Sequence, residues 1–216
     1  MSELPGPEAA LPITLTRLRR LALLDLSVLD DVRHDEGATV SSLLVATSSM
    51  ALLGVGGWLW WVFSGFGDGG AVFLKSVLFG TLASLLMWLV WLLIVHRLLE
   101  RIAGVTVPVE QLVRAAGFAT APLALGLLMA LPAVSFGVGL LALGAWLLTT
   151  QAAVERVAGG GSGAVMVANL AGFAAWAVLM SLLTTASNQL GSGPFLAESI
   201  WDVISGYEVG RVLLGR

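Results

Sequence analysis

The chain has 216 residues, of which 57% are hydrophobic and only 12% are charged, and its formal net charge is −3. Soluble globular domains carry roughly 25% charged residues, so this composition is typical of a membrane protein and not of a soluble one. The negative net charge excludes a basic surface large enough to bind nucleic acid. Since the sequence lacks cysteine, disulfides, thiol nucleophiles and thiolate metal sites are excluded as well.

The first element in chain order is a polar, amphipathic arm over residues 1–42. Within it, apolar side chains three or four residues apart form one face of a predicted helix over 14–32: Leu18, Leu21, Leu24, Val28 and Val32. Arg17, Arg19 and Arg20 cluster at the front of this helix, and acidic residues follow. Two interpretations stay open: the arm packs against the ends of the membrane spans, or its arginines contact anionic lipid headgroups or a partner.

Five apolar segments follow the arm, each with about the 17–25 residues that a membrane-crossing helix needs. They cover residues 43–63, 72–95, 112–131, 133–150 and 164–185. The sequence therefore predicts an all-α, polytopic membrane bundle of five transmembrane helices over 43–185, preceded by an N-terminal cytosolic amphipathic helix. Residues 186–216 are predicted to form an amphipathic segment on the outer face of the membrane.

Basic residues beside the spans predict the orientation of the bundle. With the N-terminus inside the cell and the C-terminus outside, the cytosolic segments contain eight arginines: Arg17, Arg19, Arg20, Arg33, Arg97, Arg101, Arg114 and Arg156. The outer segments then contain three basic residues: Lys75, Arg211 and Arg216. This excess on one side follows the positive-inside rule and predicts a multi-pass protein of the cell (cytoplasmic) membrane with its N-terminus in the cytosol.

An uncharged stretch of 40 residues, Ala115 to Val154, covers the third and fourth spans. We interpret it as a helical hairpin with a kink at Pro122 and a tight turn at Pro132, where a fixed φ suits the start of the next helix. Gly117 and Ala121 form a pair of small residues before the kink, and such pairs permit a neighbouring helix to approach closely.

The fifth span has a second set of small residues. Ala164, Ala168 and Gly172 stand four residues apart, so they form a stripe that permits close helix packing. Asn169 lies inside the same span, where a polar side chain is costly unless it has a partner. We therefore expect the Asn169 amide to form a hydrogen bond across this helix contact.

Catalytic and metal-binding patterns are weak in this sequence. The stretch 137–142, GVGLLA, formally fits a dinucleotide-binding pattern, but it lies inside a predicted span with no strand before it. The pairs His96/Glu100 and Asp30/His34 each offer two metal ligands, fewer than a metal site needs. We therefore expect a protein with no enzymatic activity, no cofactor and no metal.

The stretch 111–122, QLVRAAGFATAP, together with the Leu131-Pro132 step and Trp146, resembles the Yip domain family of polytopic membrane proteins. Bacterial members of this family have a similar leucine-arginine step, then Gly-Tyr-Ala and a proline, and here Phe118 replaces the tyrosine. The resemblance covers about residues 20–185 and implies a membrane location. The family implies Rab-type GTPase partners for eukaryotic members, but their Asp-Leu-Tyr-Gly-Pro signature is absent here, so Rab binding is not carried over to this chain.

These features predict a non-enzymatic integral membrane protein that acts by helix packing and partner binding. It would be a scaffold, an accessory subunit of a membrane complex, or a membrane-organising protein. The expected partners are membrane lipids and other membrane proteins or further copies of the chain. The alternative is a small-molecule transporter or channel with a polar path near the inner face, formed by Asn169, Thr149, Thr150 and Gln151.

Overall fold

The computed structural model describes residues 7–65 and 69–187, and all regular structure within these residues is helical. The predicted all-α class is therefore confirmed. The predicted outer-face segment lies outside the described residues from position 188 onward.

The described helices follow one another along the chain with short connections. The arm contains α1 (Pro7–Ala22) and α2 (Val28–His34), and α3 is Ala38–Phe63. Helix α4 (Gly69–Phe73) continues through a π-helical stretch (Leu74–Phe79) into α5 (Gly80–Leu98) and a second π-helical stretch (Leu99–Ala103). Helix α6 (Val109–Ala119) is followed by a 3-10 segment (Ala121–Ala130), and the chain then forms α7 (Ser135–Val157) and α8 (Gly163–Ser187).

Five helical stretches are long and apolar enough to cross a membrane, as the sequence predicts: Ala38–Phe63, Leu74–Ala103, Val109–Ala130, Ser135–Val157 and Gly163–Leu182. The fourth stretch has 23 residues and ends later than its predicted apolar segment. At a rise of about 1.5 Å per residue it is about 35 Å long, enough for the roughly 30 Å of a hydrocarbon core. The helix continues past residue 150 because its last turn packs against the arm. A search for apolar runs does not detect this contact.

The third span changes from α-helix to 3-10 helix at its proline. Pro122 lacks the N–H that an α-helix would donate to the Phe118 carbonyl, and α6 ends at Ala119. The 3-10 segment Ala121–Ala130 then continues far beyond the usual three or four residues. Thr149 on α7 donates its hydroxyl to the Ala119 carbonyl at 2.7 Å. The neighbouring helix therefore supplies a donor where the α-helical ladder stops.

The arm does not form the continuous helix over 14–32 that its periodicity predicts. Helix α1 ends at Ala22, and Leu24 has a left-handed backbone conformation with φ of 62°. The Asp25 carboxylate accepts the backbone N–H and the hydroxyl of Ser27, at 3.1 and 2.5 Å. This local turn competes with the helix, because a side-chain acceptor replaces the helical carbonyl.

The two arm helices differ in how they meet the bundle. Helix α2 packs against α6 and α7, and its Val28, Leu29 and Val32 are fully buried. Helix α1 lies beside α3 with a cavity between them. The interpretation that the arm packs against the ends of the spans therefore describes α2, whereas α1 leaves part of α3 uncovered.

Candidate functional site

A cavity of about 1250 Å³, which we call the arm groove, separates α1 from the bundle. Its walls come from α1, α3, the 3-10 segment and α7, and most of the lining is aliphatic. The polar exceptions are five hydroxyls and one carboxylate: Thr14, Ser41, Ser48, Ser49, Thr149 and Glu36. The groove is open along part of its length, and a mainly apolar groove with a few polar groups suits an apolar molecule.

The arm groove follows the first half of α3. Its lining on this helix runs from Val40 to Leu52, which corresponds to about 18 Å at the α-helical rise. Glu36 and Gly37, just before α3, line its end on the arm side. The floor includes Ala121 and Pro122, two of the small-residue and motif positions that the sequence singles out. The change from α-helix to 3-10 helix at Pro122 therefore lies beside the groove.

Ion pairs within the arm fix the position of α1. Arg17 contacts Asp35 at 2.6 Å, and Arg20 contacts Asp25 at 2.7 Å and Asp31 at 2.6 Å. Both arginines, which the sequence suggests as lipid or partner contacts, are therefore engaged with carboxylates of their own arm. Single surface pairs contribute little, and here three of them connect α1 to α2 and to the residues on either side of α2.

Hydrogen bonds and charge shift two pKa values at this turn. The Ser27 hydroxyl and the Arg20 guanidinium, in that order, lower the pKa of Asp25 below its ordinary value. Side-chain hydrogen bonds to Asp25 and Asp31 raise the pKa of Arg20 further. The third arginine of the cluster, Arg19, is exposed and forms no ion pair with a described residue.

A second set of ion pairs fastens α2 to the end of α7. Asp30 contacts Arg33 at 3.4 Å and Arg156 at 3.0 Å. Arg33 also donates through Nη1 to the backbone carbonyl of Arg156. The ring of His34 meets the backbone oxygen of Asp30 at 3.0 Å, so the Asp30 carboxylate points to arginines and not to this histidine. The described residues contain no group of three or more His, Asp and Glu side chains placed to hold a metal.

Asn169 lies in the interior of the bundle, away from the arm groove. The Trp91 indole N–H donates to its amide oxygen at 3.2 Å, and its amide nitrogen donates to the Leu147 carbonyl at 3.4 Å. Trp146 packs edge-on against Trp91 with ring centroids 4.8 Å apart. The amide therefore joins α5, α7 and α8 inside an aromatic cluster.

The predicted small residues occupy several different environments. Gly172 lies under the Trp91 indole, where any Cβ would overlap the ring, and Ala168 is fully buried. At Gly117 a Cβ would stand 2.8 Å from the Ser42 backbone oxygen on α3. The other sequence-derived positions are distributed as follows: Phe118 is fully buried, Ala164 is half-buried, and Pro132 is exposed at the hairpin turn.

One close helix contact is not evident from the sequence. Gly56 on α3 faces Gly126 on the 3-10 segment, and a Cβ on Gly56 would overlap the Gly126 backbone. Both glycines are isolated from the small-residue pairs that mark the third and fifth spans. The three glycines of α3, Gly54, Gly56 and Gly57, are a signal that could have suggested a close contact there, but the partner depends on how the helices cross.

The polar path of the transporter hypothesis is not assembled in one place. Of its four residues, Thr149 lines the arm groove. Asn169 and Thr150 are fully buried. Gln151 donates to Glu155 one turn further along α7, at 2.8 Å.

Comparisons with known proteins supply no relative for this chain. A scan against protein-family models, a search of curated proteins and a search of solved structures each found no match. The resemblance to the Yip domain family therefore stays a prediction based on residues 111–122 and the steps around them.

Proposed function

We propose that this chain is a non-enzymatic, multi-pass membrane protein that organises its membrane or serves a membrane complex by holding an apolar partner in the arm groove. The proposal includes a cytosolic N-terminus, which the distribution of arginines supports. The observation that carries the proposal is the groove itself. It has a volume of about 1250 Å³, lies between the arm and the bundle, and has a mainly aliphatic lining.

The polar side chains of the spans support a binding role over a catalytic one. Asn169, Thr149 and Ser42 each form hydrogen bonds that join one helix to another. Groups that hold helices together in this way are needed for packing, since an unpaired polar group in hydrocarbon is costly. Transport has less support. Four residues are suggested for its polar path, and only Thr149 is among the residues that line the groove.

Photocrosslinking in native membranes tests whether the groove holds a partner. A photoreactive phenylalanine analogue at Leu44, which lines the groove, is compared with one at Leu148, an exposed position of α7 outside the groove lining. We expect one discrete adduct at Leu44 and a spread of bulk membrane components at Leu148. Indistinguishable adducts at the two positions would overturn the proposal.

A further inference from the structure

We infer that the occupant of the arm groove is the acyl chain of a phospholipid with an amine-bearing headgroup, taken from the leaflet on the arm side. This inference rests on the proposed function and adds the chemical class of the partner. Four properties of the groove carry it: its length, the position of α1 along it, the state of its hydroxyls and the charge at its end.

The length of the groove matches one leaflet. Along α3 the lining from Val40 to Leu52 corresponds to about 18 Å. Half of the roughly 30 Å hydrocarbon core is about 15 Å. The groove therefore begins at the arm end of the span and stops near its middle, as the tail of a lipid does.

The position of α1 disfavours a partner helix in the arm groove. A helix with its side chains is about 10–12 Å wide. Helix α1 forms one wall of the groove through Leu11, Thr14 and Leu18, and the space beside it is about 1250 Å³. Flexible hydrocarbon chains fit this space without moving α1, whereas a helix from a second copy or another protein would have to displace it.

The walls also disfavour an extended peptide. A peptide without regular structure carries a backbone donor and acceptor at each residue, and these require partners away from water. Two of the lining hydroxyls are already donors to backbone carbonyls: Ser41 to Ala38 at 3.0 Å and Thr149 to Ala119 at 2.7 Å. A hydrocarbon chain makes no such demand, so the aliphatic walls suit it.

The charge at the arm end of the groove selects the headgroup. Among the described residues of the lining, Glu36 alone is charged, and its carboxylate forms no ion pair with a described residue. Arg17 of α1 is paired with Asp35, the residue that precedes Glu36. A carboxylate at the headgroup level attracts an ammonium group and repels a headgroup that is purely anionic.

Lipid retention by the purified full-length protein tests this inference. The protein is placed in nanodiscs of equal parts phosphatidylethanolamine and phosphatidylglycerol, stripped with mild detergent, and analysed for retained lipid by native mass spectrometry. We expect the wild type to retain phosphatidylethanolamine over phosphatidylglycerol by up to about fivefold, the range of one exposed charge pair. Glu36→Gln should abolish the preference and Glu36→Lys should reverse it.

Matched variants separate the steps of the argument. Glu110→Lys changes an exposed glutamate outside the groove lining, and it should leave the preference unchanged. Ser48→Trp or Leu44→Trp should fill the groove and abolish retention, whereas Ala174→Trp, at an exposed position of α8, should not. Gel filtration identifies any variant that fails to fold.

The outcomes distinguish the two proposals. If both groove-filling variants fold and retain lipid like the wild type, the lipid assignment is wrong, although a discrete adduct at Leu44 would still support the groove as a binding site. If retention depends on the groove but the Glu36 variants keep the wild-type lipid ratio, the headgroup assignment is overturned. If a discrete adduct at Leu44 proves to be protein, the occupant is not a lipid.

Discussion

The Trp91 indole N–H donates to the Asn169 amide oxygen at 3.2 Å, and both side chains are fully buried in the bundle. The same amide donates to a carbonyl of α7, so one polar side chain connects three helices. This arrangement supplies a direct test of helix packing.

Replacing Asn169 with leucine should destabilise the protein by about 1–3 kcal/mol, because the buried Trp91 N–H loses its acceptor. Thermal unfolding in detergent measures the change. Val167→Leu, at an exposed position of the same helix, is the control and should stay within about 0.5 kcal/mol of the wild type. Equal unfolding temperatures for the two variants would show that the hydrogen bond contributes nothing.

Two glycine-to-alanine substitutions should have opposite effects. Gly172→Ala places a methyl group into the Trp91 indole and should cost about 1–3 kcal/mol as overpacking. Gly144→Ala on α7 has open space around the new methyl group and should stabilise the helix by up to about 1 kcal/mol. The difference in unfolding temperature between the variants tests the close contact, and destabilisation by both to the same extent would argue against it.

The hydroxyl of Thr149 should matter because Pro122 interrupts the third span. Thr149→Val removes the donor to the Ala119 carbonyl and should cost about 0.5–1.5 kcal/mol. In a Pro122→Ala background the α-helical ladder can continue through Leu123, so the same change should cost less. A double-mutant cycle measures this coupling. Strictly additive effects would mean that the hydroxyl does not compensate for the proline.

Acid should loosen the turn between α1 and α2. The pKa of Asp25 is lowered in the folded protein, so its contribution to stability is complete above the ordinary value of 3.8 and is lost as the pH falls through the lower folded value. Arg20, whose pKa is raised, stays protonated throughout this range. Spin labels at Leu15→Cys and Leu148→Cys, in a chain without native cysteine, should report a widening distance distribution below about pH 4.

Asp31 and Asp35 also pair with the arginines of α1, so Asp25→Asn is the control that isolates the Asp25 carboxylate. That variant should show a broad distance distribution already at neutral pH and a smaller further change in acid. If it behaves as the wild type does at every pH, the Asp25 carboxylate does not hold the turn.

Sequence reasoning found the five candidate spans because each is an apolar run with few charges. It did not find the end of α1, since the apolar period of the arm passes through the turn that Asp25 and Ser27 form. The spacing of apolar residues shows which face of a helix is apolar. It does not show where a side-chain acceptor interrupts the helix.

The arm groove could not be predicted for a different reason. Its walls come from α1, α3, the 3-10 segment and α7, which are distant in sequence and meet only through the crossing of helices. The contact between Gly56 and Gly126 has the same origin. Ala121 and Pro122 were identified from local pattern alone, and the pattern did not show that they line a cavity.

The most direct measurement of the central claim is the environment inside the arm groove, read from a spin label at Ser48→Cys in lipid nanodiscs. Power-saturation EPR compares its collisions with oxygen, which partitions into lipid, and with a water-soluble nickel complex. The account predicts oxygen accessibility close to that of a label at the exposed Leu148, and nickel accessibility far below that of a label at the exposed Arg19. Low accessibility to both reagents, or nickel accessibility equal to that at Arg19, would contradict a lipid-filled groove.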